Sequence, residues 1–396
     1  MTEPWLSIIG LGEDGPEGLT DASRAALARA EVVFGGSRHL DLVGAGPRGR
    51  AWPIPFDLGP LLEMRGRNVA MLVSGDPFWF GAGGSVAAHI DPVEWQAFPV
   101  AGTFSLVAAR LGWRLENVSC LGLHAAGFGQ LRQTLHRGAQ VIVTLRDAAA
   151  VSELSEWLSK HGFAATRMII CEALGGPRER LRNLTVTENV PSDIRAPVAV
   201  ALDGCDLPLD AGLPRGFGLS DDLFQSDGQM TKRPVRALTL SALAPRQNAL
   251  LWDIGGGSGS VSVEWCLAGG KAICVEPRED RAENIRANAA AFGLENRLEL
   301  RIGRAPEVFG DLPRPDAVFI GGGGNEEVHQ ALWSIIPEGT RLVANGVTLE
   351  TEALLAERHA RCGGSLLRIE LAESAPLGGM RGWSSARPVV QWSVTR

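Results

Sequence analysis

From one end to the other, the 396-residue chain alternates short apolar runs with stretches of helical character. That alternation constrains the fold more than any other feature. Strands separated by helices build an α/β layer architecture with a largely parallel sheet. In the first half the pattern predicts strands over 6–11, 69–74, 93–98, 141–145, 168–173 and 198–202. Helices are expected over 21–30, 105–111, 130–135 and 151–161, the first with Thr20 as its N-cap and Asp21 in its first turn.

The rhythm breaks between about 205 and 230. Gly and Pro recur there at short intervals (Asp206-Leu-Pro-Leu-Asp-Ala-Gly-Leu-Pro-Arg-Gly-Phe-Gly218) with no period, which reads as an interdomain connection. A second α/β series follows. Helices are expected over 232–243, 260–268, 279–292, 326–336 and 349–362, and strands over 249–254, 272–275, 298–302, 317–320 and 341–344. The tail reads as strands 365–372 and 388–394 joined by a Gly-rich loop. The chain is too long for one ordinary domain, and 45% apolar residues suffice for two cores. The expected division is therefore a domain over 1–207, a linker over 208–227 and a second domain over 228–396. No repeat of solenoid length is present.

The sharpest motif lies in the second series. Asp253-Ile254-Gly255-Gly256-Gly257-Ser258-Gly259 follows an apolar strand and opens a helix, so backbone amides at the helix N-terminus face any ligand there. A dinucleotide turn would read G-x-G-x-x-G, which Gly255-x-Gly257-x-x-Ser260 nearly satisfies. D-x-G-x-G-x-G fits better, and it is the carboxylate placement of enzymes that use S-adenosylmethionine (SAM). Glu276 ends the next strand, where an acidic side chain can accept both ribose hydroxyls. A closing antiparallel hairpin after the last helix favours methyl transfer over hydride transfer. Gly303-Arg304-Ala305-Pro306-Glu307 follows strand 298–302 at its carboxyl end, and Ala305 is a candidate neighbour of the adenine.

In the first half, Ile9-Gly10-Leu11-Gly12-Glu13-Asp14-Gly15 ends one strand and Ser74-Gly75-Asp76-Pro77-Phe78-Trp79-Phe80-Gly81 ends another. Open α/β sheets bind ligands in such a crevice at strand carboxyl ends. Gly102-Thr103-Phe104-Ser105 precedes a helix, with Thr103 as a candidate N-cap.

Several classes are disfavoured. A net charge of −7 and the lack of a basic tract oppose nucleic-acid binding. The absence of Tyr excludes a tyrosine mechanism. Six scattered cysteines with no C-x-x-C pair, and seven His with no H-E-x-x-H, give no metal site. No apolar run approaches the roughly 20 residues needed to span a bilayer. Met1-Thr2-Glu3-Pro4 has neither a basic nor an apolar leader region. The expectation is a cytoplasmic protein with reduced thiols.

The motifs of the first half, Ile9–Gly12, Ser74–Pro77 and the segment around Thr103 and Ser105, resemble those of the tetrapyrrole methylase family, the class III SAM methyltransferases. Met230-Thr231-Lys232, Trp252–Gly259 and Phe319-Ile320-Gly321-Gly322 resemble the decarboxylating precorrin methylase domain. The resemblance covers nearly the whole chain outside the linker, with two departures. The family's first loop often continues G-P-G, where this chain has Glu13-Asp14-Gly15-Pro16. Relatives often carry Leu-His-Gly-Arg, where this chain has Leu123-His124-Ala125-Ala126.

The resemblance implies a two-lobed class III fold followed by a class I Rossmann-like methyltransferase fold. It implies two SAM sites, releasing S-adenosylhomocysteine (SAH). Their residues would be Gly10, Gly12, Gly75, Asp76, Thr103 and Ser105 in the first domain. In the second they would be Thr231, Asp253, Gly255, Gly257, Ser258, Gly259, Glu276 and Ala305. The implied reaction is methylation of precorrin-6B at C5 by the first domain, with methylation at C15 and loss of the C12 acetate carboxyl by the second. The product would be precorrin-8X, on the path to cobalamin.

A substrate rich in carboxylates needs local positive charge. Candidates are Arg233, Arg236, Arg304, Arg381 and Arg387, together with His124. Arg381 and Trp383 are expected in a loop that closes over the ring. Relatives of the second domain imply a homo-oligomer, such as a tetramer. The rival readings are an NAD-linked oxidoreductase using the Gly255–Gly259 turn, a non-catalytic tetrapyrrole carrier and a nucleic-acid methyltransferase.

Overall fold

The structure is a computed structural model and describes residues 4–396; the leader expectation rests mainly on residues 1–3, outside that range. The chain divides into two compact units. One comprises Met1–Phe128 and Thr134–Ala211, the other Gly129–Gln133 and Gly212–Arg396. Among the described residues no helix is long and apolar enough to cross a membrane.

The first unit opens with β1 (Leu6–Leu11), α1 (Asp21–Arg29), β2 (Val32–Gly35), α2 (Ser37–Leu42), β3 (Gly49–Ala51), α3 (Gly59–Leu62), β4 (Val69–Ser74), α4 (Ala82–Ala87) and β5 (Trp95–Phe98). Its five strands lie in the order β3-β2-β4-β1-β5, all parallel. Ile8 and Ile9 point to opposite faces of β1 and both are fully buried, as a sheet covered on two sides requires. Thr20 caps α1, its hydroxyl accepting from the Ser23 amide as expected.

The second lobe contains α5 (Thr103–Leu111), β6 (Val118–Gly122), β7 (Gln140–Thr144), α7 (Ala149–Lys160), β8 (Arg167–Glu172), β9 (Arg180–Thr185) and β10 (Val198–Asp203), while α6 (Leu131–Thr134), between β6 and β7 in sequence, falls mainly in the other unit. The order is β6-β7-β10-β8-β9. Only the β6–β7 pair is parallel, which corrects the expectation of a largely parallel sheet throughout. Strand β9 escaped the sequence reading because it is a polar edge. Arg180 and Arg182 both pair with the buried Glu172 on β8, and such inward charges suit an edge strand. Thr103 is the first residue of α5, and Gly102 occupies the cap position expected of Thr103.

The second unit contains α8 (Arg233–Leu243), β11 (Leu250–Ile254), α9 (Ser260–Leu267), β12 (Lys271–Glu276), α10 (Glu279–Ala291), β13 (Leu298–Ile302), β14 (Ala317–Ile320), α11 (Glu326–Ile335), β15 (Arg341–Gly346), α12 (Leu349–Cys362), β16 (Ser365–Ile369), β17 (Ala372–Leu377), β18 (Met380–Ser385) and β19 (Val389–Thr395). Its seven-stranded sheet runs β13-β12-β11-β14-β15-β19-β16, parallel except where β19 pairs antiparallel with β15 and β16. The chain moves outward from β11 on one side and returns to its other side at β14. The carboxyl end of β11 is therefore the topological switch point, where ligands bind in such sheets.

One expectation changes here. The tail connection is not a loop but a separate antiparallel hairpin, β17–β18, turned by Gly378-Gly379 between Leu377 and Met380; a Gly-Gly pair is a hairpin turn signal. Within the connecting stretch, Leu219 and Phe224 are buried in the core of this unit.

Candidate cofactor and substrate sites

In the second unit, an apolar β11 delivers Asp253 to the switch point with almost no exposure. One carboxylate oxygen, Oδ2, accepts from the Ser262 hydroxyl at 2.7 Å. The other, Oδ1, is buried without a partner, and so is the Ser258 hydroxyl. Burial pushes the Asp253 carboxyl up to about 6, the Ser262 bonds only partly opposing it. Burying unpaired polar atoms costs about 1–3 kcal/mol each, so such a pair marks a place for a polar ligand.

The loop between these residues is held tightly. Gly255 has φ +69°, and a Cβ there would lie 2.4 Å from the Gly322 carbonyl oxygen. The turn after β11 and the Gly321–Gly324 turn after β14 thus touch backbone to backbone, which only glycine allows. Glu276, buried at the end of β12, accepts from the Gly257 amide at 2.9 Å and from the Arg278 amide at 3.0 Å. Beyond it, α9 begins at Ser260 directly after Gly259.

Asn288 on α10 closes the far side and was missed in the sequence reading. Its amide nitrogen donates to the carbonyls of Ser258 and Gln225, and its Oδ1 accepts from the Gln225 amide. The only available signal was a polar residue on the buried Ile285–Ala289 face of an otherwise charged helix. This bracing carries residues 225–231 past the glycine turn, with the Gln229 carbonyl 3.7 Å from where a Gly257 Cβ would stand. Thr231 lies on this segment and gives its carbonyl to Arg236. Ala305 packs partly buried against the core around Phe309.

Arg236 is not available to a substrate. It is fully buried, paired to Glu264 and Asp221, and its guanidinium lies 4.7 Å over the Phe224 ring. Glu264 also accepts from the Gly218 and Leu219 amides. The pair pins the connecting segment to α8 and α9, a structural task that its place in the sequence did not reveal. Arg233, Arg304, Arg381 and Arg387 are exposed. Arg381 and Trp383 lie on β18 of the hairpin, and Trp383 is 79% exposed.

In the first unit, the loops after β1, β4 and β5 meet. A Cβ on Gly10 would lie 2.0 Å from the Gly75 carbonyl oxygen, and one on Gly75 (φ +58°) would lie 2.5 Å from the Gly102 Cα. Above this floor is a cavity of about 680 Å³ whose lining includes Gly12, Asp76, Thr103, Ser105 and His124. Its volume falls in the usual range for small-molecule sites. Asp76 turns its own loop, its carboxylate accepting from the Phe78 amide at 2.8 Å.

Sequence reasoning left out much of the cavity wall. Trp52, Trp79, Phe80, Arg38 and Arg146 also line it. Phe80 holds φ +55°, a strained backbone for an aromatic residue. Its ring lies against Gly122 at the end of β6 and 5.6 Å from that of Phe104. The run Phe78-Trp79-Phe80 was the available signal.

These two sites define a class: a tetrapyrrole methylase fold and a Rossmann-like methyltransferase fold carried on one chain. The model of the Tetrapyrrole (Corrin/Porphyrin) Methylases matches residues 6–189, and that of the Precorrin methyltransferase domain matches 222–396. A precorrin-6Y C(5,15)-methyltransferase [decarboxylating] of Sinorhizobium sp is 44% identical over all of this chain and 97% of its own length. One from Mycobacterium tuberculosis is 36% identical over 99% of this chain and its full length. The crystallised C-terminal domain of the Rhodobacter capsulatus precorrin-6Y C5,15-methyltransferase is 58% identical over 46% of this chain and all of its own, with a TM-score of 0.46. The chain belongs to the family of decarboxylating precorrin-6Y C5,15-methyltransferases, enzymes that draw their methyl groups from SAM.

Proposed function

We propose that the protein methylates precorrin-6B at C5 and C15 and removes the C12 acetate carboxyl, giving precorrin-8X. In this reading the first unit serves C5, and the second serves C15 and the decarboxylation. Each unit holds its own SAM and releases SAH. The observation that carries the reading is the pair of separate strand-end crevices, each floored by glycine backbones in contact. The buried, partnerless Asp253 Oδ1 and Ser258 hydroxyl fit the polar methionyl end of that donor.

Bound SAM supplies an electrophilic methyl on a sulfonium. The chain's part is to place a nucleophilic ring carbon in line with it, an ordering worth up to about 7–11 kcal/mol of barrier. In the second unit Asp253 and Ser258 hold the amino-acid end, Glu276 takes the ribose hydroxyls, and Ala305 flanks the adenine. Thr231 and the amides of Gly255, Gly257 and Gly259 border the same pocket. In the first unit the floor is Gly10, Gly12, Gly75 and Asp76, with Thr103 and Ser105 at the start of α5. Trp79 and Phe80 offer flat faces for the macrocycle. Decarboxylation breaks the bond between the acetate methylene and its carboxyl carbon. Carbon dioxide leaves, the electron pair enters the conjugated ring, and a proton then completes the new methyl.

Arg233, Arg304, Arg381 and Arg387, with His124 and Trp383, remain the proposed contacts to carboxylate arms and ring. The hairpin exposes Leu377, Met380 and Trp383, apolar area suited to self-association into a homo-oligomer such as a tetramer. The setting we propose is the cytoplasm, where six unpaired cysteines stay reduced. Mass spectrometry after incubating precorrin-6B with SAM tests the reading. Two methyl groups should be gained and one carbon dioxide lost; a product with one methyl, or with the carboxyl retained, overturns it.

A further inference from the structure

At the wall of the first-unit cavity, Arg38 belongs to a cluster whose charges none of the cofactor and substrate contacts above uses. Glu13, two residues after β1, has a side chain only 7% exposed. It is shared by two guanidiniums, Arg38 of α2 in ion-pair contact and Arg178 of the second lobe at 3.5 Å. A Cβ on Gly176 would lie 2.6 Å from the Glu13 Cβ, so the second-lobe loop is seated hard against this residue. Arg38 donates to His39 Nε2 at 2.9 Å and to the Ser74 hydroxyl at 3.1 Å, and His39 Nε2 lies 3.0 Å from that hydroxyl. A guanidinium can only donate, so Nε2 accepts and the His39 ring is neutral with its proton on Nδ1. Burial and the neighbouring Arg38 hold His39 down at about 4. Burial first, and then Arg178, lower Arg38 itself.

The charge count is uneven. Two cations face one carboxylate and a neutral imidazole, leaving one positive charge uncompensated at a wall that Glu13, Arg38, His39 and Ser74 line, which Arg178 reaches through Glu13. A half-buried excess cation is costly until an anion joins it. We infer that Arg38, with Arg178 joined to it through Glu13, forms a carboxylate-binding subsite of the first-unit cavity, with Ser74 as a further hydroxyl. Resting on the proposed C5 reaction, the carboxylate is an acetate or propionate arm of the macrocycle. The other source of the same chemistry is the α-carboxylate of the methyl donor.

Substitutions with opposite expected signs test it. Arg38→Gln and, separately, Arg178→Gln remove the excess charge, whereas Glu13→Gln doubles it. The probes are SAH, followed by calorimetry, and uroporphyrin III, a tetrapyrrole with eight carboxylates, followed by quenching of tryptophan fluorescence. The expected result is porphyrin binding weakened about tenfold by either arginine change and tightened several-fold by Glu13→Gln, with SAH affinity unmoved. The KM for the macrocycle in C5 methylation should move the same way. The same pattern in SAH affinity alone assigns the subsite to the donor's carboxylate. A purely structural cluster would lose affinity in all three variants or in none, and either outcome overturns the subsite. Neither binding probe needs turnover, so a failure of the proposed reaction is read separately, from the wild-type product.

Discussion

If Asp253 holds the donor as proposed, its burial sets both the affinity of the second-unit site and the pH dependence of that affinity. Its carboxyl is raised from 3.8 to about 6, chiefly by burial. For an acid, a raised folded-state value means that the fold favours the protonated form, so ionisation costs stability as pH rises through that window. A ligand ammonium reverses the balance, because it needs the carboxylate. A proton and the donor therefore compete below about pH 6. SAH affinity at the second-unit site should fall as the pH drops from about 7 to 5, and Asp253→Asn should flatten the dependence while weakening binding at neutral pH. Calorimetric titration across that range checks both. An unchanged slope in the variant would remove Asp253 from the pocket. The same variant should lose C15 methylation and decarboxylation and keep C5 methylation.

At the scale of elements, strand–helix alternation was legible because buried parallel strands are uninterrupted apolar runs. Strands β11, β12 and β14, with the glycine turn at the switch point, follow from Leu250–Ile254 and its neighbours with little ambiguity. What stayed hidden was written in polar residues. Strand β9 is an Arg-rich edge, and β17–β18 mixes apolar and polar residues with no strict alternation along either strand. Arg236 looked like a surface cation until Glu264, twenty-eight positions on, was found beside it. Partners so distant in sequence leave no local periodicity, which is also why Arg38 and Arg178 went unread. The Arg236–Glu264 pair links α8, α9 and the 218–224 segment, so breaking it strands a buried charge. Glu264→Gln should cost the second unit about 3–5 kcal/mol. Urea unfolding followed by tryptophan fluorescence, to which Trp265 beside Glu264 on α9 contributes, measures the loss. Pairing it with Arg236→Met should recover part of that loss; fully additive costs would mean that the two side chains do not interact energetically.

For the whole molecule, the fusion raises the question of whether two methyl transfers need two donor pockets. Each unit has its own core and its own strand-end crevice, and the glycine contacts that floor the two crevices share no residue. Disabling one floor should therefore leave the other working. Gly75→Ala is the sharpest such change. Its φ of +58° disfavours any Cβ, and the added atom would press within 2.5 Å of the Gly102 Cα. The variant should bind one SAH per chain where the wild type binds two, and should fail to methylate C5. Given a substrate that already carries the C5 methyl, it should still transfer to C15 and release carbon dioxide at close to the wild-type rate. Calorimetric stoichiometry and trapped carbon dioxide report on the two pockets independently. If SAH binding in the wild type saturates at one per chain, or if Gly75→Ala abolishes carbon dioxide release on that substrate, then a single pocket serves both transfers, and the fusion has some purpose other than carrying two donors.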